Sequence, residues 1–143
     1  MTDIVTKNTR SRMMRSIKSR NTKPEILVRA YLHSIGFRFR LTSKIGKIRP
    51  DIVLPKHKTC IFVHGCFWHR HHLCKLASSP KSNIDFWLKK FQLNTERDKR
   101  VNEELKRLGW TVGVIWECTV RDHSFKEFDY SILIKPNNSF WTT

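Results

Sequence analysis

A buried strand and a dense group of reactive side chains follow one another in Thr59-Cys60-Ile61-Phe62-Val63-His64-Gly65-Cys66-Phe67-Trp68-His69-Arg70-His71-His72-Leu73-Cys74. The first five residues form an apolar, β-branched run, which is typical of a buried strand. The next eleven hold four of the seven histidines and two of the four cysteines in the chain. A purely structural loop has no need of so many groups that titrate near neutral pH or bind metals. The stretch therefore predicts a strand that leads directly into a functional site.

The charge of the chain points to a polyanionic partner. Its 143 residues include 28 Lys and Arg against 12 Asp and Glu, which gives a net charge of +16. Such an excess predicts nucleic acid as the first candidate and an anionic membrane surface as the second. The five Trp and nine Phe favour nucleic acid over a basic surface that serves only solubility, because aromatic rings stack on bases.

The length predicts one domain that is large enough to form a core without disulfides. We expect a basic N-terminal arm over residues 1–20, disordered at first and then a short amphipathic helix, and a single domain over 21–143. No apolar run reaches the length of a signal peptide or a membrane span. We therefore expect a monomeric cytoplasmic protein, in which the four cysteines are metal ligands or structural thiols.

Before the central stretch, the sequence predicts one helix and two strands. Thr22-Lys23-Pro24-Glu25 has the capping-box spacing, so a helix starts here, and Gly36 ends it. Strict alternation over 37–41 predicts a strand with one face in water. A second short strand, 49–55, is bracketed by prolines. Asp51 lies at its open end, beside a proline that cannot donate to a strand ladder.

After the central stretch, Ser82-Asn83-Ile84-Asp85 has a second capping-box spacing and starts a long helix that Gly109 ends. We expect its charged middle, 96–100, to be a solvated face, and Asn94-Thr95 to mark a break. Its inward stripe is assigned to Ile84, Trp87, Leu88, Phe91, Val101, Leu105 and Leu108.

The fully apolar run 110–116 predicts a central strand, and the crossover helix before it makes this strand parallel to an earlier one. A short helix is expected within 125–134. The order of helix, three strands, helix and strand predicts an α/β fold around a small sheet of mixed direction.

The spacing of cysteine and histidine predicts a structural zinc site. Cys66, His71 and Cys74 lie in one loop, and Cys118 follows the central strand, so strand ends can bring the four together. One nitrogen and three sulfurs close a tetrahedral shell, as structural zinc prefers. His72 competes with His71 for the nitrogen position. The alternative of unligated buried thiols is disfavoured, because so many His and Cys are hard to bury unpaired.

A second group of side chains fits phosphodiester hydrolysis. Asp51 lies at one strand end, and His64 and His69 flank Cys66 in the chain. A carboxylate holds Mg²⁺, which stabilises charge and activates water, and histidine moves protons near neutral pH. The alternative is that the two histidines only support or replace zinc ligands.

Five motifs, in this order and nearly this spacing, resemble the very short patch repair (Vsr) endonucleases: Arg49-Pro50-Asp51, His64-Gly65-Cys66-Phe67-Trp68-His69, Phe86-Trp87, Glu96-Arg97-Asp98 and Trp116-Glu117-Cys118. The similarity runs from about residue 9 to residue 118, which is most of the chain. It implies a restriction-endonuclease-like fold, in agreement with the order of elements. It also implies an enzyme that nicks one strand 5′ of the T in T·G mismatches left by deamination of 5-methylcytosine.

The resemblance assigns roles to single residues. It implies that Asp51 holds a catalytic Mg²⁺, helped by the main-chain carbonyl of Val63. His69 becomes the proton-transfer group, with His64 and Glu25 in the same active site. From the sequence alone, Glu25 is equally well explained as the acid of the capping box.

The resemblance also implies zinc bound by Cys66, His71, Cys74 and Cys118. Its DNA partner is a duplex with a T·G mismatch, with downstream repair proteins as further partners. Aromatic residues wedge into this duplex from the major groove, and two residues of the arm enter the minor groove; these are Phe67, Trp68 and Trp87, and Met14 and Ile17 respectively. Composition alone slightly favours core packing for the two arm residues.

Three departures bear on this resemblance. Restriction-type nucleases usually carry an acid-x-Lys pair where this chain has Phe62-Val63-His64, and that departure belongs to the Vsr family itself. Val63 replaces a frequent Thr, but a carbonyl ligand survives the change. Cys74 comes one residue later than in some members, so the choice between His71 and His72 stays open. We predict a mismatch-specific nicking endonuclease; the alternatives are a restriction-like nuclease without a mismatch requirement and a non-catalytic zinc-containing DNA-binding module.

Overall fold

The computed structural model describes residues 21–41 and 43–131, residues 6, 8 and 9, and the backbone of 140–142. The expected arm helix, with Met14 and Ile17, lies outside the described residues. The elements are α1 (Lys23–Ser34), β1 (Ile52–Leu54), β2 (Thr59–His64), α2 (Ile84–Arg107), β3 (Thr111–Trp116), α3 (Glu117–Arg121) and β4 (Phe140–Thr142), with 3-10 turns at Pro55–His57 and Ser124–Glu127.

The four strands form one sheet in the order β1-β2-β3-β4. β1 is antiparallel to β2, whereas β2 and β3 are parallel and in register, with Thr59 opposite Thr111 and His64 opposite Trp116. β4 continues the sheet in parallel with β3. The parallel pair is the one that α2 connects, since a parallel crossover needs a long connection. The predicted α/β fold with a sheet of mixed direction is confirmed.

Side chains alternate between the two faces of the sheet and form two apolar clusters. On one face, α1 packs on β1, β2 and β3 through residues that include Val28, Leu32, Ile61 and Ile115. On the other face, Leu105 of α2 packs on Cys60 and Val112. His64 and Trp116 have the same parity as these last two residues, so both lie on the α2 face at the carboxyl ends of their strands.

The predicted start and end of α1 are confirmed. Thr22 is the N-cap, and its hydroxyl accepts a hydrogen bond from the Glu25 N–H at 3.4 Å. At the other end, the Phe37 N–H donates to the Leu32 carbonyl at 2.9 Å, and Gly36 has a φ of 104°. That positive φ suits glycine, which pays no steric penalty there.

The predicted strand over 37–41 is wrong. Arg40 pairs with Val53 in a single bridge, in which each N–H donates to the other carbonyl at 2.8 and 2.9 Å. The bridge does not extend towards Arg38, because the next pairing position on the other segment is Pro55, which has no N–H and begins a 3-10 turn. The alternation reflects burial instead, since Phe37 packs into the α1-side cluster and Phe39 packs partly against it.

Three details of α2 differ from expectation. Its N-cap is Asn83, in a left-handed conformation without a side-chain cap, so the capping box at Ser82 does not form. The helix runs without a break at 94–95, because these residues keep helical hydrogen bonding. Ile84, Leu88 and Leu108 are exposed, because the inward stripe follows a strict alternation of four and three residues through Trp87, Phe91, Asn94, Asp98, Val101 and Leu105.

The helix expected over 125–134 does not form in the described part of this region, which holds a 3-10 turn at Ser124–Glu127 after the short α3 has ended. Residues 132–134 lie outside the described residues. Phe125 is buried there, and the Tyr130 hydroxyl donates to its carbonyl at 2.6 Å. Within the part of the chain that the structure describes, no helix is long and apolar enough to cross a bilayer.

Candidate active site and Cys/His cluster

A cleft of about 1030 Å³ lies at the carboxyl end of β2, between the start of α1 and the middle of α2. Acidic and imidazole side chains line its floor, and four cations, Lys47, Arg49, Lys90 and Arg97, line it as well. Parallel strands end at one edge of the sheet, so this edge collects the side chains that follow them. The cleft therefore holds acidic and imidazole groups inside a positive rim.

Asp51 lies just before β1 and reaches the end of β2. Its Oδ2 accepts a hydrogen bond from the Val63 N–H at 2.8 Å. Burial raises the pKa of Asp51 to about 6, which the Val63 N–H and the nearby Arg29 offset only in part. A bound cation would stabilise the charged form of this carboxylate, because it replaces the favourable interaction with water that is lost on burial.

The Val63 carbonyl points the same way as its N–H, towards β1. Continuing the β1–β2 register by one pair places Pro50 opposite Val63. Proline has no N–H, so the ladder offers this carbonyl no donor. The result is a carbonyl oxygen beside the Asp51 carboxylate, and carboxylate and carbonyl oxygens are the ligands that Mg²⁺ takes.

Glu25 is buried in the first turn of α1, and its Oε2 carries two charge-assisted contacts. It accepts from Arg29 at 2.9 Å and from the Asn21 N–H at 3.0 Å. Arg29 also donates to the Asn21 side chain at 2.8 Å. Glu25 is close enough to Asp51 to contribute to its raised pKa. The capping box is thus only half formed, since the Glu25 carboxylate faces the cleft region instead of the Thr22 N–H.

The two histidines of the cleft stack on one another. The rings of His64 and His69 are 3.9 Å apart and 6° from parallel. Burial lowers the pKa of His64 to about 3, so this ring is neutral at physiological pH. Ring lone pairs lie in the ring plane, and two parallel planes do not direct them at one ion. The stack therefore favours proton chemistry over a shared metal, although ligand atoms of His64, His69 and Asp98 lie within 4.8 Å of one another.

Asp98 is the residue that the sequence reasoning missed. Its Oδ2 lies 2.6 Å from the Nδ1 of His69, and both side chains are 22% exposed. The expected solvated face of α2 is therefore wrong at this position. The signal in the sequence is an acid within the inward stripe of the helix, between Phe91 and Val101.

Cys66, His71, Cys74 and Cys118 form one group, the Cys/His cluster, whose ligand atoms all lie within 4.8 Å of one another. The Nδ1 of His71 is 3.6 Å from the Cys66 sulfur and 3.4 Å from the Cys118 sulfur. A tetrahedral zinc shell requires nitrogen–sulfur edges of roughly 3.5 Å, from its bond lengths of about 2.0 and 2.3 Å. The donor set and its spacing fit a metal ion, and His71, not the exposed His72, belongs to the cluster.

The thiols of the Cys/His cluster differ in their surroundings, and their pKa values shift in opposite directions. Burial raises the pKa of Cys66, while a hydrogen bond from the Leu76 N–H lowers that of Cys74. The Cys118 N–H donates to the Cys66 sulfur at 3.4 Å. Leu73, between two cluster residues, is 93% exposed and has a φ of 53°. Leu73 thus forms an outward bulge between His71 and Cys74.

Phe67, Trp68 and Trp87 form an aromatic cluster at one end of the cleft. Ring centroids lie 5.2 Å apart for Phe67 and Trp68, 5.5 Å for Phe67 and Trp87, and 5.8 Å for Trp68 and Trp87. Phe91 is buried beneath Phe67, and the Asn94 side chain donates to the Trp68 carbonyl at 3.2 Å. The three rings are half-buried, so they combine a packed base with exposed edges.

A mixed α/β sheet whose strand ends bring a carboxylate and a histidine pair into a basic cleft defines an endonuclease of the restriction-endonuclease-like class. Residues 2–75 match the family described as “DNA mismatch endonuclease Vsr”. The chain belongs to the Vsr family of DNA endonucleases, as the motifs indicated.

Relatives from three bacteria agree with this assignment. The chain is 49% identical to the type II nicking enzyme V.NmeAIP of Neisseria meningitidis, over 85% of this chain and 86% of the relative. It is 45% identical to the type II nicking enzyme V.XorIIP of Xanthomonas oryzae, over 85% and 89%. It is 42% identical to the DNA mismatch endonuclease Vsr of Escherichia coli, over 85% and 77%.

Proposed function

We propose that this protein nicks one strand of duplex DNA 5′ of the T in a T·G mismatch, by Mg²⁺-dependent hydrolysis of the phosphodiester bond. The observation that carries the proposal is the meeting of Asp51 and the His69–Asp98 pair in one cleft, beside an aromatic cluster with exposed edges. One relative is named for mismatch cleavage, and others are named for nicking.

DNA binding is assigned to the positive rim of the cleft. Lysine and arginine contacts to phosphates supply most of the affinity of such proteins without reading sequence. The cations Lys47 and Arg49 approach from the loop before β1, and Lys90 and Arg97 from α2. This arrangement supports a duplex that runs across the cleft and places its backbone over Asp51.

Mismatch recognition is assigned to the aromatic cluster. A mismatched step is easier to unstack than a paired one, and inserted rings offset part of that cost. Phe67, Trp68 and Trp87 are half-buried and held by neighbouring rings, so their exposed edges can enter the stack without ordering a flexible loop. Met14 and Ile17 remain proposed as minor-groove contacts of the basic arm, 1–20.

The catalytic metal would be held by Asp51 and the Val63 carbonyl. When bound, Mg²⁺ supplies positive charge at the reacting phosphate and lowers the pKa of bound water. Glu25 lies close enough to add negative charge to this part of the cleft. Its contacts with Arg29 and Asn21 hold its Oε2 in place, and Oε1 would be the oxygen that accepts a hydrogen bond in this part of the cleft.

Proton transfer is assigned to His69. Because its Nδ1 is 2.6 Å from the Asp98 carboxylate, the proton of the neutral ring is held on Nδ1. Nε2 then presents a lone pair, or a proton when the ring is charged, to the reacting group. His64 stays neutral and fixes the plane of the His69 ring by stacking.

We assign the Cys/His cluster to structural zinc, with Cys66, His71, Cys74 and Cys118 as ligands. Three thiolates and one imidazole leave no open position for a substrate, which is typical of a structural site. We also propose that residues 21–143 form the single nuclease domain, and that the protein acts as a cytoplasmic monomer. Downstream repair proteins would then process the nick.

The test is a panel of end-labelled duplexes incubated with the protein and Mg²⁺. The panel contains one duplex with T·G, one with each other mismatch, and matched controls with and without 5-methylcytosine. We expect one nick, 5′ of the mismatched T, and none in EDTA. Equal nicking of matched duplexes would instead establish a restriction-like nuclease, and binding without nicking would establish a DNA-binding module.

A variant pair tests the aromatic cluster. Trp68→Ala should remain folded, bind undamaged DNA nearly as well as the wild type, and lose T·G nicking. Leu88→Ala is the control, because Leu88 is an exposed apolar residue of α2 that does not line the cleft. A Trp68→Ala variant that keeps full T·G nicking would remove the wedge from the proposal.

A further inference from the structure

Trp116 links the two sites of the molecule through ring contacts. Its ring is stacked on that of His71 in the Cys/His cluster, with centroids 4.1 Å apart and planes 10° from parallel. It also makes an edge-to-face contact with His64, with centroids 5.2 Å apart and planes at 76°. His64 stacks on His69, whose Nδ1 meets Asp98. Five side chains thus form one continuous column.

The fold places Trp116 in this position through strand register. Trp116 is the last residue of β3 and is directly opposite His64, the last residue of β2, on the α2 face of the sheet. His64 is therefore held between two rings, Trp116 on one side and His69 on the other. Together with the Phe62 ring, 5.9 Å away, these contacts restrict the orientation of the buried His64 ring and with it that of the ring stacked on it.

We propose that Trp116 is a positioning residue that couples the Cys/His cluster to the catalytic histidine, by holding His64 against His69. The proposal rests on the proposed function, in which His69 transfers the proton. Without the indole ring, His64 gains freedom on its Trp116 side, and the His69 ring loses its fixed support. An imidazole that holds a cation is electron-poor and stacks more strongly on an electron-rich indole, so an intact cluster reinforces the position of Trp116.

Three variants separate positioning from general stability. Trp116→Leu removes the ring and keeps an apolar side chain. Trp116→Phe keeps a ring of smaller area. Trp110→Leu is the matched control, because Trp110 precedes the opposite end of β3 and packs on the apolar cluster under α2.

The activity readouts are the single-turnover nicking rate at saturating T·G duplex and the duplex affinity with Ca²⁺ in place of Mg²⁺. Loss of a group that orients a reacting side chain typically lowers activity about tenfold to a hundredfold. We expect that loss for Trp116→Leu with an unchanged duplex affinity, and an intermediate loss for Trp116→Phe. Trp110→Leu should lower the melting temperature and leave the rate at saturation unchanged.

The second readout does not depend on activity. Ring signals of His64 and His69 are recorded by NMR in the DNA-free protein, together with metal content. We expect both signals to shift in Trp116→Leu and not in Trp110→Leu, with metal content unchanged in both. The His69 signal is the deciding one, because His69 meets Trp116 only through His64 and the loss of the indole ring current acts first on His64. If Trp116→Leu does not fold, the His69 signal of Trp116→Phe decides, and it must differ from the wild type.

Two results would overturn the proposal. One is a wild-type His69 ring signal in the Trp116 variants, and the other is an equal loss of rate in Trp116→Leu and Trp110→Leu. If the wild type nicks no duplex, the proposed function fails, while the ring signals still decide whether Trp116 positions His64.

Discussion

The Cys/His cluster and the cleft are neighbours that the chain builds in opposite ways. Three of the four cluster side chains come from one loop, 66–74, and only Cys118 comes from elsewhere. The cleft takes His69 from the same loop but gathers its other groups from the start of α1, the residue before β1, the end of β2 and the middle of α2. A locally built site should act mainly on stability, and a site built from distant elements should act mainly on rate.

The largest expected effect is on the cleft side of this comparison. Asp51→Asn should lower the nicking rate at least about a thousandfold, because a metal contributes several kcal/mol to charge stabilisation in the transition state. Duplex affinity and metal content of the Cys/His cluster should remain near the wild type. Nicking assays, filter binding and elemental analysis measure the three quantities. Wild-type nicking by Asp51→Asn would show that the active site lies elsewhere.

The next effect tests how the cleft uses α2. Asp98→Asn should lower the rate about a hundredfold, because an amide no longer holds the proton of the neutral His69 ring on Nδ1. Glu103→Gln is the matched control, because it makes the same change from acid to amide on the exposed face of the helix. It should leave the rate unchanged. If Asp98→Asn nicks normally, the carboxylate only fills the stripe of α2.

On the cluster side, Cys74→Ser should reduce bound metal and lower the free energy of unfolding by more than about 2 kcal/mol, because structural metal contributes folding energy. Cys60→Ser is the contrasting variant, since Cys60 is a buried thiol outside the cluster. It should cost stability without loss of metal. If chelation removes the metal from the wild type without lowering its free energy of unfolding, the assignment of structural zinc to this site is wrong.

The smallest effect concerns Asp51 and the pH dependence of stability. The pKa of Asp51 is raised from 3.8 to about 6, so its stabilising contribution is complete below pH 3.8 and is lost as pH rises through 6. In Mg²⁺-free buffer at pH 8, Asp51→Asn should therefore stabilise the fold by about 1–2 kcal/mol, with no gain near pH 4.

A second carboxylate gives the opposite sign. Hydrogen bonds from Ser124 lower the pKa of the exposed Asp122, so its contribution is present at neutral pH and is lost on acidification. Asp122→Asn should weaken the fold slightly at pH 8. Denaturant unfolding of both variants at the two pH values measures the contrast, and a gain for Asp51→Asn at pH 4 as large as at pH 8 would contradict burial as its cause.

The two sites also differed in how far the sequence predicted them. The cysteine and histidine spacing indicated a cluster, because three members share a loop, and the geometry then selected His71 over His72. Asp98 was assigned to a solvated face, because its partner His69 is 29 residues away and only the packing of α2 on the loop brings them together. A single sequence does not show which distant elements come into contact.

The fold shows the same limit. Thr22 and Gly36 determine α1 through local hydrogen bonds, so its bounds were predictable. The alternation over 37–41 is equally regular, yet a strand needs a partner along its length, and only Arg40 has one. Leu88 was assigned inward from its apolar character, although the phase of α2, set by Phe91 and Leu105, leaves it exposed.

The outward bulge at Leu73 gives the loop an adjustable length. His71 and Cys74 stay in the cluster while the residue next to Cys74 projects into solvent in a left-handed conformation, which disfavours a branched side chain. An insertion at this point would add length on the solvent side of the loop. The tip at Leu73 is therefore an attachment point for a fluorescent label, since its side chain projects into solvent and does not line the cleft.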